Sequence, residues 1–82
     1  MKILIEVITP GNGKTYEIML DDKLTVGTAR EKIVDQIVAF ENGGIAFDKD
    51  AALFAPVSRA RLQDHRNLRK AGLKSGHCVY LL

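Results

Sequence analysis

At Thr25 the spacing of apolar residues changes from the period of a strand to that of a helix, and that change limits the possible folds more than any other feature. Residues 3–7 and 16–20 carry apolar side chains at every second position, which is the period of a β-strand. The turn-forming segment 9–14 between them predicts an antiparallel hairpin with a loop. From Thr25 the spacing becomes three and four residues, which predicts an amphipathic helix with one apolar stripe made by Val26, Ala29, Ile33, Ile37 and Phe40.

Both ends of the predicted helix carry capping signals. Thr25 is a suitable N-cap, and Thr28 with Glu31 three residues later forms an alternative capping box. At the other end, residues 42–44 read Asn-Gly-Gly, and these residue types tolerate the left-handed conformation in which helices commonly end. The helix is therefore predicted to begin within one turn of Thr25 and to end just before residue 42.

Shorter extended segments follow the helix. Residues 51–57 are predicted as a third strand, 61–63 as a very short fourth strand and 77–82 as the last strand, with a single helical turn at 68–73. Because a long crossover helix follows the hairpin, a later strand is expected to return beside the first one. The sequence therefore predicts an α+β fold, the β-grasp, in which one long helix packs on one face of a mixed four- to five-stranded sheet.

Length and composition bound the class of protein. The chain has 82 residues, of which 46% are apolar and 27% charged, so we expect a single domain, residues 1–82, with a modest core. Cys78 is the only cysteine, which excludes an internal disulfide and makes a reducing, cytoplasmic compartment the expected location. No segment approaches the roughly 18 apolar residues that span a bilayer, so direct membrane insertion is not expected.

Candidate catalytic and metal-binding groups are few. His65 and His77 are the only histidines, and neither has partners at a spacing typical of zinc ligation. A nucleophilic role for Cys78, with His65 as base, would need an electropositive pocket and a third orienting group, and the sequence indicates neither. We therefore expect a protein that is not an enzyme, with no catalytic residues, no cofactor and no metal.

Several segments, taken in order, resemble ubiquitin-like proteins over essentially the whole chain. The opening Met-x-Ile-x-Ile strand resembles the first strand of that family, and the helix start at Thr25 also matches it. The remaining similarities are Gly-Lys-Thr at residues 13–15, Gly-Ile at 44–45, and the turn at 62–68, which resembles the family's Leu-x-Asp-x-Arg-x-Leu. The resemblance implies the ubiquitin-like form of the β-grasp.

The features in which this sequence differs from ubiquitin indicate a resemblance to a narrower family. The sequence ends at Leu82 without the Gly-Gly tail that C-terminal activation requires, so a conjugated modifier or a sulfur carrier is disfavoured. The size, the lengthened helix and the segment Leu-x-x-Ala-Gly-Leu-x-x-Gly at 68–76 resemble proteins of the YukD or EsaB type, which accompany type VII (WXG100) secretion systems in Gram-positive bacteria. That resemblance implies a cytosolic accessory or regulatory factor whose protein partners are membrane-associated components of the secretion machinery.

One face of the predicted sheet is a candidate binding surface. If Ile3, Ile5, Val79 and Leu81 face the helix, alternation places apolar side chains on the outer face, at Leu4, Leu53, Tyr80 and Leu82. Basic residues are predicted to surround it, chiefly Arg59, Arg61 and Arg66, with Arg69, Lys70 and Lys74. An apolar centre with a basic rim is typical of a protein interface. The alternative is that these side chains pack on one another or on the end of the chain.

The charges divide unevenly and leave other functions open. Residues 1–50 carry a net charge of −3 and residues 51–82 one of +5, giving +2 for the chain. The basic half makes a nucleic-acid-binding domain an alternative, which the few aromatic residues and the absence of an RNA-binding glycine motif disfavour. A small ubiquitin-like subunit of a multicomponent oxygenase is the other alternative. We expect a protein partner rather than nucleic acid, and a monomer or weak homodimer.

Overall fold

A computed structural model describes residues 1–47, 51–56 and 60–82, and in these ranges one helix and five strands are present. The elements in chain order are β1 (Lys2–Thr9), β2 (Lys14–Asp21), α1 (Val26–Phe40), β3 (Leu53–Ala55), β4 (Ala60–Arg61) and β5 (Cys78–Leu81). No helix in the described ranges is long and apolar enough to cross a membrane.

The strands form one mixed sheet in the order β2-β1-β5-β3-β4. β1 pairs antiparallel with β2 and parallel with β5, while β3 pairs antiparallel with both β5 and β4. α1 ends beside the hairpin tip, where β1 ends, and β3 then runs back toward the side from which β1 starts. β5 therefore starts on that side and lies parallel to β1. The predicted α+β arrangement, a mixed sheet with one helix, is confirmed.

Local signals set the limits of α1. The Thr25 hydroxyl accepts a hydrogen bond from the Thr28 backbone N–H at 3.3 Å, so Thr25 is the N-cap. The helix ends where Asn42 and Gly43 adopt φ values of 52° and 76°, which is the left-handed conformation expected at a helix C-terminus. The stripe of Val26, Ala29, Ile33 and Ile37 is fully buried, whereas Phe40 at its end is exposed.

The core lies between α1 and the inner face of the sheet. Strand residues of alternating positions supply one side of it, as the period of two requires: Ile3, Ile5, Val7, Ile18, Leu20, Val79 and Leu81. Leu62, Leu68 and Leu73, from the segments that connect β4 to β5, complete it. A single cluster therefore connects the helix, the sheet and the C-terminal connections.

The prediction that Leu53 faces outward is wrong. Leu53 is 2% exposed and pairs with Leu81, and directly paired residues of antiparallel strands project to the same face of a sheet. The segment Ala51 to Ala55 is apolar at every position, so no polar residue shows which alternate positions face the core. Its neighbour Phe54 projects outward instead, as a half-buried residue.

Two strands are shorter than predicted, and the fourth strand, predicted at 61–63, covers Ala60–Arg61. The third strand covers Leu53–Ala55, and Val57 at the predicted end lies outside the described residues.

Residues 68–73 form the predicted single helical turn: the Ala71 N–H donates to the Asn67 carbonyl at 3.0 Å, and the turn ends at Gly72 with φ 86°. Glycine accepts this positive φ at little cost, so the chain can reverse there before β5.

Candidate protein-binding face

The outer face of the sheet, opposite α1, carries a row of residues that crosses all five strands. The row is set by direct strand pairing and runs Thr15, Ile8, Tyr80, Phe54 and Arg61. Its middle three members are apolar or aromatic: Ile8 and Phe54 are half-buried, and Tyr80 is 36% exposed. The two outer members are exposed and polar or charged. The row therefore has an apolar centre and polar ends, the arrangement found across many protein interfaces.

A second apolar pair lies on the same face near the other end of the hairpin. Leu4 pairs with Met19 across β1 and β2, and their side chains are 36% and 52% exposed. Ser75 lies beside this pair, because its hydroxyl accepts a hydrogen bond from the Leu4 backbone N–H at 3.1 Å. Large apolar side chains on a solvent-facing strand are unusual enough to indicate a contact surface when several lie together.

Two carboxylates separate the apolar row from the Leu4–Met19 pair. Glu6 and Glu17 are direct partners across β1 and β2, both are exposed, and no ion pair to either is present in the described part of the chain. Like charges placed directly opposite destabilise a strand pair. The predicted apolar centre with a purely basic rim is therefore incomplete, since an acidic pair lies inside the face.

The predicted site residues fall into three groups. Leu4, Tyr80 and Arg61 lie on the outer face, and Leu82, two residues beyond Tyr80, is 59% exposed beside it. Leu53 belongs to the core instead. Arg66 lies away from the face, in a cleft beside the start of α1, and Arg59 lies outside the described residues.

The sequence reasoning missed three members of the face, Ile8, Met19 and Phe54. Met19 could have been found, because it occupies an alternate position between the inward Ile18 and Leu20. Ile8 follows the same alternation as Leu4 in β1. Phe54 had no such signal, because the apolar run around it leaves the choice of face undetermined.

The tip of the hairpin is fastened to the end of α1 by a polar cluster. Glu41, the helix C-cap, accepts a hydrogen bond from the Tyr16 hydroxyl at 2.7 Å and forms an ion pair with the Lys14 ammonium at 3.0 Å. The Tyr16 ring also stacks on Phe40, with 6.2 Å between centroids. The hydrogen bond from Tyr16, and then the Lys14 ammonium, hold the pKa of the Glu41 carboxyl below its ordinary value. The hydrogen bond that the Lys14 ammonium donates to Glu41 raises the pKa of Lys14.

We expect Glu41→Gln to make the free energy of unfolding depend less on pH in the acid range. A carboxyl whose pKa is lowered by folding contributes stability above its unfolded-state pKa, about 4.3, and loses it as pH falls through the lower folded-state pKa. The variant should therefore be less stable than the parent at neutral pH and lose less on acidification. Urea unfolding at several pH values measures this. Glu31→Gln, at an exposed helix position without an ion pair among the described residues, is the matched control; an equal effect of both variants would contradict the expectation.

The sheet order, the single helix packed on one face and the parallel pairing of β1 with β5 together define a ubiquitin-like β-grasp fold. The UBL domain of Plasmodium falciparum Dsk2 is similar over 99% of this chain and 96% of its own length, with a TM-score of 0.77 and 17% identity. Caldiarchaeum subterraneum ubiquitin matches over 99% of this chain and 91% of its own, with a TM-score of 0.73 and 22% identity.

A ubiquitin-like domain from an Arabidopsis thaliana protein is also similar, with a TM-score of 0.70 and 26% identity over 99% of this chain and 76% of that one. No protein-family model and no curated protein matches the sequence. Identities in this range establish the shared fold, and the predicted ubiquitin-like β-grasp is confirmed at that level.

Proposed function

We propose that this chain is a non-enzymatic protein-interaction module that binds its partner through the outer face of the sheet. The observation that carries the proposal is the row in which Ile8, Tyr80 and Phe54 lie side by side on three adjacent strands. Strands hold these side chains in fixed positions, so little conformational entropy is lost when a partner covers them. An aromatic residue at the centre of such a row is the kind of side chain that dominates binding energy in interfaces.

The charged residues of the face support a specific rather than a general apolar contact. Glu6 and Glu17 repel each other in the free domain, and a partner cation placed between them would relieve that repulsion. Arg61 at the end of the row offers a second charged contact of opposite sign. Complementary charges of this kind set orientation and partner choice more than affinity.

We further propose that the partner belongs to a type VII (WXG100) secretion system and that the domain is its cytoplasmic accessory or regulatory factor. The support is the resemblance of the sequence to YukD and EsaB proteins in size, helix and the segment 68–76. The proposal also uses two features of the fold: α1 is 15 residues long, and the segment 68–76 contributes Leu68 and Leu73 to the core.

The Tyr80→Asp variant should lose partner binding while keeping its fold. Tyr80 is 36% exposed, so a carboxylate there remains solvated in the free domain but is placed inside the interface on binding. The tagged domain is expressed in its source organism and co-purifying proteins are identified by mass spectrometry. We expect an FtsK-like ATPase or another membrane-associated component of the secretion system with the parent, and its loss with Tyr80→Asp.

Phe40→Asp is the matched control, because it makes the same kind of change at an aromatic residue that is 62% exposed on α1. It should leave partner capture at the parental level, and circular dichroism checks that both variants are folded. Undiminished capture by folded Tyr80→Asp would refute the proposed face. Recovery of an iron-containing hydroxylase instead of secretion components would favour the oxygenase-subunit alternative and reject the secretion proposal.

A further inference from the structure

A cleft beside the start of α1 gathers basic side chains from two separate parts of the chain. It has a volume of about 480 Å³ and is lined by Lys23, Thr25, His65, Arg66, Asn67 and Lys70. The three cations among these residues, Lys23, Arg66 and Lys70, are all exposed. Among the described residues, no aspartate or glutamate lines the cleft. It is distinct from the outer face, which lies on the strands of the sheet.

Backbone hydrogen bonds join the two parts of the chain that form this cleft. The segment 22–27, which leads into α1, and the segment 64–69 are joined by four backbone hydrogen bonds. Two of them connect the Val26 N–H to the Arg66 carbonyl at 2.7 Å and the Leu68 N–H to the Leu24 carbonyl at 2.9 Å. The Asn67 side chain accepts a further bond from the Lys70 N–H at 2.7 Å. The cationic side chains therefore project from a framework that is already formed before any ligand binds.

The carboxylates near the cleft already have other partners. Asp64 forms an ion pair with Arg30 at 2.7 Å, and Asp22 forms one with the amino group of Met1 at 3.2 Å. Asp21 accepts a hydrogen bond from the Lys23 backbone N–H at 2.9 Å and forms an ion pair with the amino group of Met1 at 3.5 Å. Within the described ranges, neither Arg66 nor Lys70 has a carboxylate at ion-pair distance.

The first turn of the helix adds no free donors to the cleft. Its Val26 and Gly27 N–H groups are bound by the carbonyls of Arg66 and Asp64, and the Thr28 N–H is bound by the Thr25 hydroxyl. A ligand would therefore be held by the side chains of Lys23, Arg66 and Lys70, with a favourable contribution from the helix dipole. Cations on flexible side chains suit a ligand with several separate negative charges.

We propose that this cleft binds an acidic peptide segment of a protein partner, with Lys23, Arg66 and Lys70 as the contacts for its carboxylates. An acidic segment matches the charge of the cleft, and its adjacent carboxylates can meet cations contributed by both segments. Nucleic acid fits less well, because single strands are usually held by base stacking on aromatic side chains and no phenylalanine or tyrosine lines the cleft.

A hexaglutamate peptide is the direct probe. Titrated into the isotopically labelled domain at about 0.15 M salt, it should shift the backbone amide signals of residues 23–25 and 65–70 in heteronuclear NMR spectra and leave those of Ile8, Tyr80 and Phe54 in place. A hexaglutamine peptide should cause no shifts. The double variant Arg66→Glu/Lys70→Glu should weaken binding by at least about tenfold, because it places like charges against the peptide.

The matched control is the double variant Lys32→Glu/Lys2→Glu, which changes the net charge equally at two exposed positions outside the cleft. If both double variants weakened peptide binding equally, overall charge would explain the effect and the proposal would be overturned. Shifts that spread over the outer face, no shifts at all, or tighter binding of an oligothymidine strand or of anionic lipid vesicles than of the peptide would also overturn it. Because the readout is the cleft itself, its failure leaves the proposed outer face untouched.

Discussion

The Leu53→Asp variant is expected to be unfolded under conditions in which the parent domain is native. Leu53 is 2% exposed and belongs to the cluster that connects the sheet with α1. A carboxylate there would lose its hydration without gaining a partner, and removing the leucine would also leave a cavity. The cavity alone typically costs about 2 to 5 kcal/mol, and the buried charge adds to it. A small domain has only about 5 kcal/mol or little more to lose.

Phe54→Asp is the control for this prediction, since it makes the same change one residue further along β3 and on the opposite face. Phe54 is half-buried, so this variant should lose some stability but keep its cooperative thermal transition and its far-ultraviolet circular dichroism spectrum. A Leu53→Asp domain that stays folded while Phe54→Asp unfolds would show that the other side of β3 faces the core. The pair of variants therefore tests the orientation of this strand directly.

The Ile33→Asp variant is likewise expected to abolish the folded state. Ile33 lies in the middle of α1, is 1% exposed and contributes to the same core cluster. No buried side-chain nitrogen or oxygen in the described residues is left without a hydrogen bond, so no unsatisfied side-chain donor awaits the new carboxylate. We expect a loss of more than about 4 kcal/mol, as for other buried unpaired charges. Circular dichroism and urea titration measure it.

Lys32→Asp is the matched control for Ile33→Asp, because residue 32 is the exposed neighbour in the same helical turn. Its cost should stay near the difference in helix propensity, about 0.5 kcal/mol. Ile33→Ala adds an intermediate point, expected at about 2 to 5 kcal/mol. If Lys32→Asp and Ile33→Asp destabilised the domain equally, helix propensity rather than burial would explain the loss, and the stripe would not be the core-facing side.

The elements with a clear period were predicted well. In β1 and β2 apolar residues recur at alternate positions, and in α1 the stripe from Val26 to Ile37 shows its buried face directly. Thr25 was one of the two N-caps that the sequence predicted, because an N-cap is a local interaction between residues three apart. These signals are local, so a reading of neighbouring residues is enough to find them.

The outer face was predicted only in part, and the basic residues were assigned to one rim when they belong to different places. Arg61 pairs with Phe54 on the outer face, whereas Arg66 lies with Lys23 in the cleft beside α1. Residues 23 and 66 are far apart in sequence, and only the hydrogen bonds between segments 22–27 and 64–69 bring them together. No spacing rule along one strand or helix could have predicted that cluster.

The sequence by itself determined the types of the elements, their order and the buried stripe of the helix, because each depends on the period of apolar residues within one segment. The tertiary structure decided which way β3 faces and which charged residues share a surface. Strand pairing with Leu81 turned Leu53 inward, and backbone pairing across the chain placed Lys23 beside Arg66. Both depend on contacts between residues distant in sequence, whose geometry exists only once the chain has folded.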